Sequence, residues 1–265
     1  MIGLNKIGLN QVQLNRLHLN APFPAYGKMA GGGGSGDGFP QLPGDVTRWH
    51  FGGLTNEMMA AMDDPRIEDA DGKGRFLSFK NFAWKEGSGI SDVYPGALVF
   101  DGVDDCGVCD NFPILTKEKG YTVVVLRQWD QDFLNTTLTG GLLSTRNYST
   151  GEGVAFEKIE SSNKGYWNLG AGGIIDFAKS PFTWQTSKQY NNVGILKGDK
   201  NHGKPLCVGC GLSGGQQCGR FAIWELVFLD HDATEEELTK IKDYFVKTYP
   251  WLFPDKAWTV TGKTN

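Results

Sequence analysis

The sequence predicts an all-β fold, a sandwich or jelly roll with one short helix near its C-terminus. Three observations carry this. The 265 residues include 37 Gly, 16 Phe and 8 Trp, pairing turn-forming glycine with aromatics that suit pleated surfaces. Strand-like runs are short, numerous and bounded by Gly, Asn or Asp, as in a sandwich. One segment alone, after Thr234, has a complete helix signature. The length suits one large or two modest domains.

Residues 1–20 read as an arm. They repeat in fives: Ile2-Gly-Leu-Asn-Lys, Ile7-Gly-Leu-Asn-Gln, Val12-Gln-Leu-Asn-Arg, Leu17-His-Leu-Asn. A period of five matches neither the 3.6 of a helix nor the two of a flat strand. Gly and Asn are also poor helix formers. The segment reads as short extended pieces, bent at each Asn. Its apolar side chains, Ile2, Leu4, Ile7, Leu9, Val12, Leu14, Leu17 and Leu19, cannot bury one another in a single strip. They need neighbours from this chain, identical chains or a host protein. The arm is therefore expected to mediate assembly or attachment. The plainer alternative is an irregular strip lying on the parent domain.

Residues 21–45 read as a linker. The Gly31–Gly34 run is flexible, and the flanking prolines are stiff. An alternative has part of it packing over the domain through Phe23, Tyr26 and Phe39.

The globular domain is placed at residues 46–250, opening on Val46–Phe51, with residues 251–265 as a tail. Strands are expected at Phe76–Phe82, Ala97–Phe100, Tyr121–Trp129, Gly141–Thr145, Gly153–Ile159, Asn192–Leu196, Leu206–Cys210 and Arg220–Leu229. A helical turn is expected at Glu57–Met62. The main helix starts at Thr234-Glu-Glu-Glu237, a capping box in which hydroxyl and carboxylate satisfy the first exposed N–H groups. Leu238, Ile241 and Phe245 follow at helical spacing. Early Glu and later Lys240, Lys242 and Lys247 suit the helix dipole. Pro250 ends it.

Three ordered segments carry a family resemblance. They are Ile67–Asn81, with its Asp-Ala-Asp-Gly-Lys-Gly turn; Ala97-Leu-Val-Phe-Asp-Gly-Val-Asp-Asp105; and Phe221–Leu238. Together they resemble the opening turn, the Asp-Gly strand and turn, and the closing strand and helix of a concanavalin A-like domain of the LamG type. Ala70-Asp71 and Lys73 depart from the first pattern. The resemblance implies a concanavalin A-like β-sandwich over residues 46–250. With Phe82–Gly89 and Tyr94–Asp105, the motifs are similar to LamG-like proteins of phages and prophages of gut bacteria.

This fold hosts many functions, so function must come from sites. Retaining hydrolases on it are expected to place alternating carboxylates on one strand face, flanking the scissile bond. No such strand is found. Glu157 and Glu160 are three apart, and Val227 and Leu229 fill the places after Glu225. No catalytic residue is assigned, and the protein is read as a non-enzyme. Asp101, Asp104 and Asp105 could hold Ca²⁺. The favoured reading is that they shape their own turn.

Two Cys-x-x-Cys pairs, Cys106/Cys109 and Cys207/Cys210, have the spacing of a four-thiolate zinc site. Each lies in a strand-like run, where Cys106 and Cys109 would face opposite sides. Free buried thiols are the favoured reading, and no cofactor is called for. Sugar binding would use aromatic faces. The candidates are Trp129, Tyr148, Tyr166, Trp167, Trp184 and Tyr190, near Asn147, Asn163 and Asn191.

Composition narrows the partners. The net charge is −4 without a basic patch, which argues against nucleic acid. No run of eighteen apolar residues is present to insert in a membrane. The start of the sequence lacks the basic region and continuous apolar run of a secretory signal. The expected function is a non-enzymatic phage structural protein: a fibre, head-decoration or tail component located in the virion. Its expected partners are itself, as a homotrimer, other virion proteins and a host glycan. The alternative is a cellular carbohydrate-binding or adhesion module, and more remotely a glycoside hydrolase.

Overall fold

The computed structural model describes residues 37–113, 120–145, 155–158, 164–167, 174–176, 182–186, 205–212 and 216–253. The repeat of residues 1–20, and the strand expected at Asn192–Leu196, lie outside them. The first strands are β1 (Val46–His50), β2 (Arg66–Glu68), β3 (Phe76–Lys80), β4 (Gly89–Ile90), β5 (Leu98–Asp101), β6 (Cys106–Cys109), β7 (Thr122–Trp129) and β8 (Gly140–Ser144). Then come β9 (Ala155–Lys158), β10 (Lys164–Trp167), β11 (Ile174–Asp176), β12 (Phe182–Thr186), β13 (Leu206–Val208), β14 (Cys210–Leu212), β15 (Gln216–Cys218) and β16 (Arg220–Leu229). Helices α1 (Asn56–Ala60), α2 (Gln131–Leu134) and α3 (Glu235–Thr248) complete the set.

Among the described residues the strands form two sheets. The smaller runs β12-β7-β16-β5-β4, with β1 also on β16. The larger runs β11-β10-β9-β8-β13-β6-β3-β2, with β14 and β15 attached beside β8. The expected all-β sandwich with one C-terminal helix is what is observed.

Strand β16 organises the smaller sheet. Its Arg220–Leu229 sequence is apolar at nearly every position, as befits a strand covered on both faces. One edge pairs along its length with β7. The other is shared, first by β5 at Arg220–Ile223 and then by β1 at Glu225–Leu229. Phe221, Ile223, Leu226 and Phe228 face the second sheet, with Leu77, Phe79, Leu206 and Val208 in the same core. Ala222, Trp224, Val227 and Leu229 face the opposite way, toward Leu238, Ile241 and Phe245 of α3. Each fully buried side chain of this size contributes roughly 1.5–3 kcal/mol before entropy is subtracted.

Helix α3 carries the capping box read from the sequence. The Glu237 N–H donates to Thr234 Oγ1 at 3.3 Å, and the Thr234 N–H donates to Glu237 Oε2 at 2.7 Å. Pro250 opens a short 3₁₀ turn to Leu252. Thr55 caps α1, a short helix that overlaps the expected stretch and starts one residue earlier. Phe39 is buried edge-on against Tyr244 of α3, with ring centroids 5.1 Å apart. The chain just before β1 thus packs on the domain.

Candidate functional site

A buried charge cluster lies between the smaller sheet and α3. A regular strand would turn Glu225 into the sandwich with Phe221 and Ile223. Instead β16 is irregular against β7 between Ile223 and Glu225. This extra residue turns Glu225 to the helix side along with Trp224. There its Oε1 accepts from His50 Nδ1 at 2.8 Å, Tyr249 Oη at 2.8 Å and Tyr244 Oη at 3.0 Å. Its Oε2 accepts from Arg48 Nη1 at 3.3 Å. Arg48 also pairs with Asp37 and lies 4.3 Å from the centre of the Phe39 ring.

Arg48, His50 and Glu225 are all buried. Burial opposes the charge on Glu225, but His50 and Arg48 overcome it and hold the carboxyl below its ordinary range. Burial likewise opposes the charge on Arg48, and Glu225, Tyr244 and Asp37 more than offset it. A carboxylate held ionised, with both oxygens occupied by donors, is poorly suited to deliver a proton. The cluster ties the segment before β1, the sheet and the last helix together. In the sequence Glu225 stands out only as a carboxylate without an acidic partner two or four residues on.

The other buried carboxylates serve the backbone. Asp69 Oδ1 accepts from the N–H groups of Lys73 at 3.0 Å and Arg75 at 2.9 Å, closing the β2–β3 turn. Asp105 accepts from the Asp101 N–H at 2.9 Å and the Ser88 hydroxyl at 3.0 Å. Burial pushes the Asp105 carboxyl up to about 7. Asp101 Oδ1 accepts from the Val103 N–H at 2.7 Å. Metal-ligand atoms of Asp101, Asp104 and Asp105 lie within 4.8 Å of one another. The hydrogen bonds are those of a self-capped turn. Glu237 completes the capping box by accepting from the Thr234 N–H.

The candidate aromatics among the described residues lie on three different strands. Trp129 is the last residue of β7 and keeps the inward parity of Val123 and Val125. It stacks on Phe133, with ring centroids 5.8 Å apart, and only 4% of it is exposed. It is a core residue, not a loop platform. The backbones of Tyr166 and Trp167 lie in β10, opposite Glu157 and Phe156 of β9. Trp184 lies in β12, opposite Val124. Tyr148 and Tyr190 lie outside the described residues. Arg127, buried in β7, was not singled out from the sequence, and burial lowers it to about 9.

The cysteines divide differently from their sequence pairs. Cys109 joins the core between the sheets, where burial pushes its thiol up to about 12. Cys106 faces the other side of β6, as strand alternation requires. It clusters there with Val108, Cys207, Cys210 and Cys218. Cys210 and Cys218 form a disulfide. The set Cys106, Cys109, Cys207 and Cys210 is therefore not assembled at one point: β6 separates its first two members.

No protein-family model and no curated protein matches the chain. Solved structures do. Trypanosoma rangeli sialidase in complex with 2,3-difluoro-KDN is similar at 13% identity and a TM-score of 0.50. The match covers 91% of this chain and 38% of that one. The binding domain of botulinum neurotoxin serotype D matches at 12% identity and a TM-score of 0.43, over 66% of this chain and 49% of that one. The chain spans 33–38% of the length of the sialidases it matches. At this identity the likeness to the sialidase is one of fold. Among the described residues, no helix is long and apolar enough to cross a membrane.

Proposed function

We propose that the protein is a non-enzymatic virion component, a phage fibre, head-decoration or tail protein that displays a lectin-like sandwich. Its pentad arm attaches or trimerises it, and the sandwich binds host-surface glycan through aromatics sought at Tyr166, Trp167 and Trp184. One observation supports the non-enzymatic reading most directly. The buried carboxylates among the described residues, Asp69, Asp105, Glu225 and Glu237, all accept hydrogen bonds from the protein's own turns, caps and charge cluster. A glycosidase needs two carboxyl groups free to flank a sugar bond, roughly 5–10 Å apart.

The test uses the full chain. It is screened against bacterial capsular polysaccharides for binding and for release of reducing ends. Binding without turnover, weakened by Trp184→Ala, is expected. Turnover that vanishes on replacing a single Asp or Glu overturns the reading. For the arm, the combined Leu4→Ser, Leu9→Ser, Leu14→Ser and Leu19→Ser variant should keep its β spectrum and lose assembly. Equal sedimentation and equal incorporation into particles would remove the arm's proposed role.

A further inference from the structure

We propose that Cys106, Cys207, Cys210 and Cys218 form a redox-gated four-thiolate site for a soft divalent cation such as Zn²⁺. Two backbone features build it. On a straight strand, Cys207 and Cys210 would face opposite sides. Gly209, at φ +95°, breaks the run between β13 and β14 and turns both to one side. A Cβ at Gly209 would meet the Phe100 ring at 2.3 Å, so the kink requires glycine. Gln217, at φ +53°, is a second left-handed residue, immediately before Cys218.

The sulfurs fall into two adjacent pairs within one buried cluster. The Cys207 thiol is hydrogen-bonded to that of Cys106 and accepts from the Cys210 backbone N–H. Cys210 Sγ lies 3.2 Å from the carbonyl oxygen of Asp105, the residue before Cys106. Cys210 and Cys218 face each other across β14 and β15 and carry the disulfide.

The disulfide is the gate. A dithiol reductant converts Cys210–S–S–Cys218 to two thiols and is itself oxidised to a disulfide. Four thiols then bind one Zn²⁺ and release four protons, leaving a tetrahedral complex of charge −2. Two thiolates side by side repel, and burial disfavours each; a cation between them removes both penalties. Lys80, paired opposite Cys106 in the sheet, is the protein cation whose field reaches Cys207. In a reducing compartment the metal form is favoured, and in an oxidising one the disulfide.

The test titrates full-length protein, reduced with a phosphine under anaerobic conditions, with Co²⁺. One equivalent should produce the thiolate charge-transfer band and the strong visible bands of tetrahedral cobalt. Zn²⁺ should displace it. Cys106→Ser and Cys218→Ser should each remove about a quarter of the charge-transfer intensity, one thiolate in four. Cys109→Ser should leave it unchanged, which separates this set from the one that sequence spacing suggests. If reduction abolishes the β spectrum, its recovery on adding Zn²⁺ supports the site, and failure to recover overturns it. Folded, reduced protein without cobalt bands overturns it. So does a Cys109→Ser loss equal to that of Cys218→Ser.

Discussion

Replacing Glu225 by Gln tests whether the buried charge cluster holds the sandwich to its last helix. The side chain keeps its volume and loses its charge. The carboxylate's partners Arg48, His50, Tyr244 and Tyr249 are all donors. The new amide NH₂ meets a donor whichever way it turns, unless a tyrosine hydroxyl gives up its own donation. Arg48 is left buried with Asp37 as its remaining carboxylate. Removing one partner of a buried pair costs about 3–5 kcal/mol. For a domain of this size, each kcal/mol shifts the melting temperature by about 2–4 °C. The expected fall is therefore roughly 6–20 °C by circular dichroism. Asp37→Asn, at the cluster's more exposed edge, should cost less. The pH dependence adds a second readout. Glu225 is held below its ordinary 4.5 in the folded protein. Its contribution is thus present above pH 4.5 and is lost as pH falls through the folded value. The variant should lack that part of the acid destabilisation. A Glu225→Gln protein melting within about 2 °C of the parent at neutral pH would refute the reasoning.

Three further outcomes are expected. Asp105 is raised to about 7 from an ordinary 3.8, so its contribution is fully present below 3.8 and is lost as pH rises through 7. Asp105→Asn should therefore gain on the parent steadily between those values in melting experiments, and a pH-independent difference would count against this. Gly209→Ala places a methyl 2.3 Å from the Phe100 ring at a positive φ. It should lose at least about 2–3 kcal/mol in urea unfolding, and a neutral effect would show the kink to be dispensable. Thr234→Ala removes the helix cap and should cost about 1 kcal/mol, read by the same unfolding.

Local signals were the ones legible in the sequence. The capping box spans four residues and is seen whole, as are the apolar positions behind it. Strand alternation placed Cys106 and Cys109 on opposite sides, and the structure has them so. What escaped depends on distant partners or on broken alternation. Glu225 meets Arg48 across 177 positions, and an irregularity in β16 alone turns it to the helix side. Cys207 and Cys210 share a side only because Gly209 bends between them, whereas Gly107 in the other Cys-x-x-Cys leaves its strand unkinked. Trp129 is a sugar-binding candidate by residue type, but it closes its strand with the inward parity of Val123 and Val125.

The pairing of β1 with β16 sets a timetable for synthesis. Residues near position 48 emerge from the ribosome 177 residues before their partners near 225. At the usual pace of synthesis the wait is about 10–40 s. Throughout it β1, β5 and β7 lack the strand that joins them, and their apolar faces stay open to other chains. Closure happens in one late step, when β16 inserts, Asp45 and Asp230 exchange hydrogen bonds at 2.8 and 3.1 Å, and α3 seals the outer face. A nascent chain stalled before residue 220 would hold the pairs β12-β7 and β5-β4 of the smaller sheet without the strand that joins them. The yield of folded protein is therefore expected to depend on whatever shields these strands in the interval.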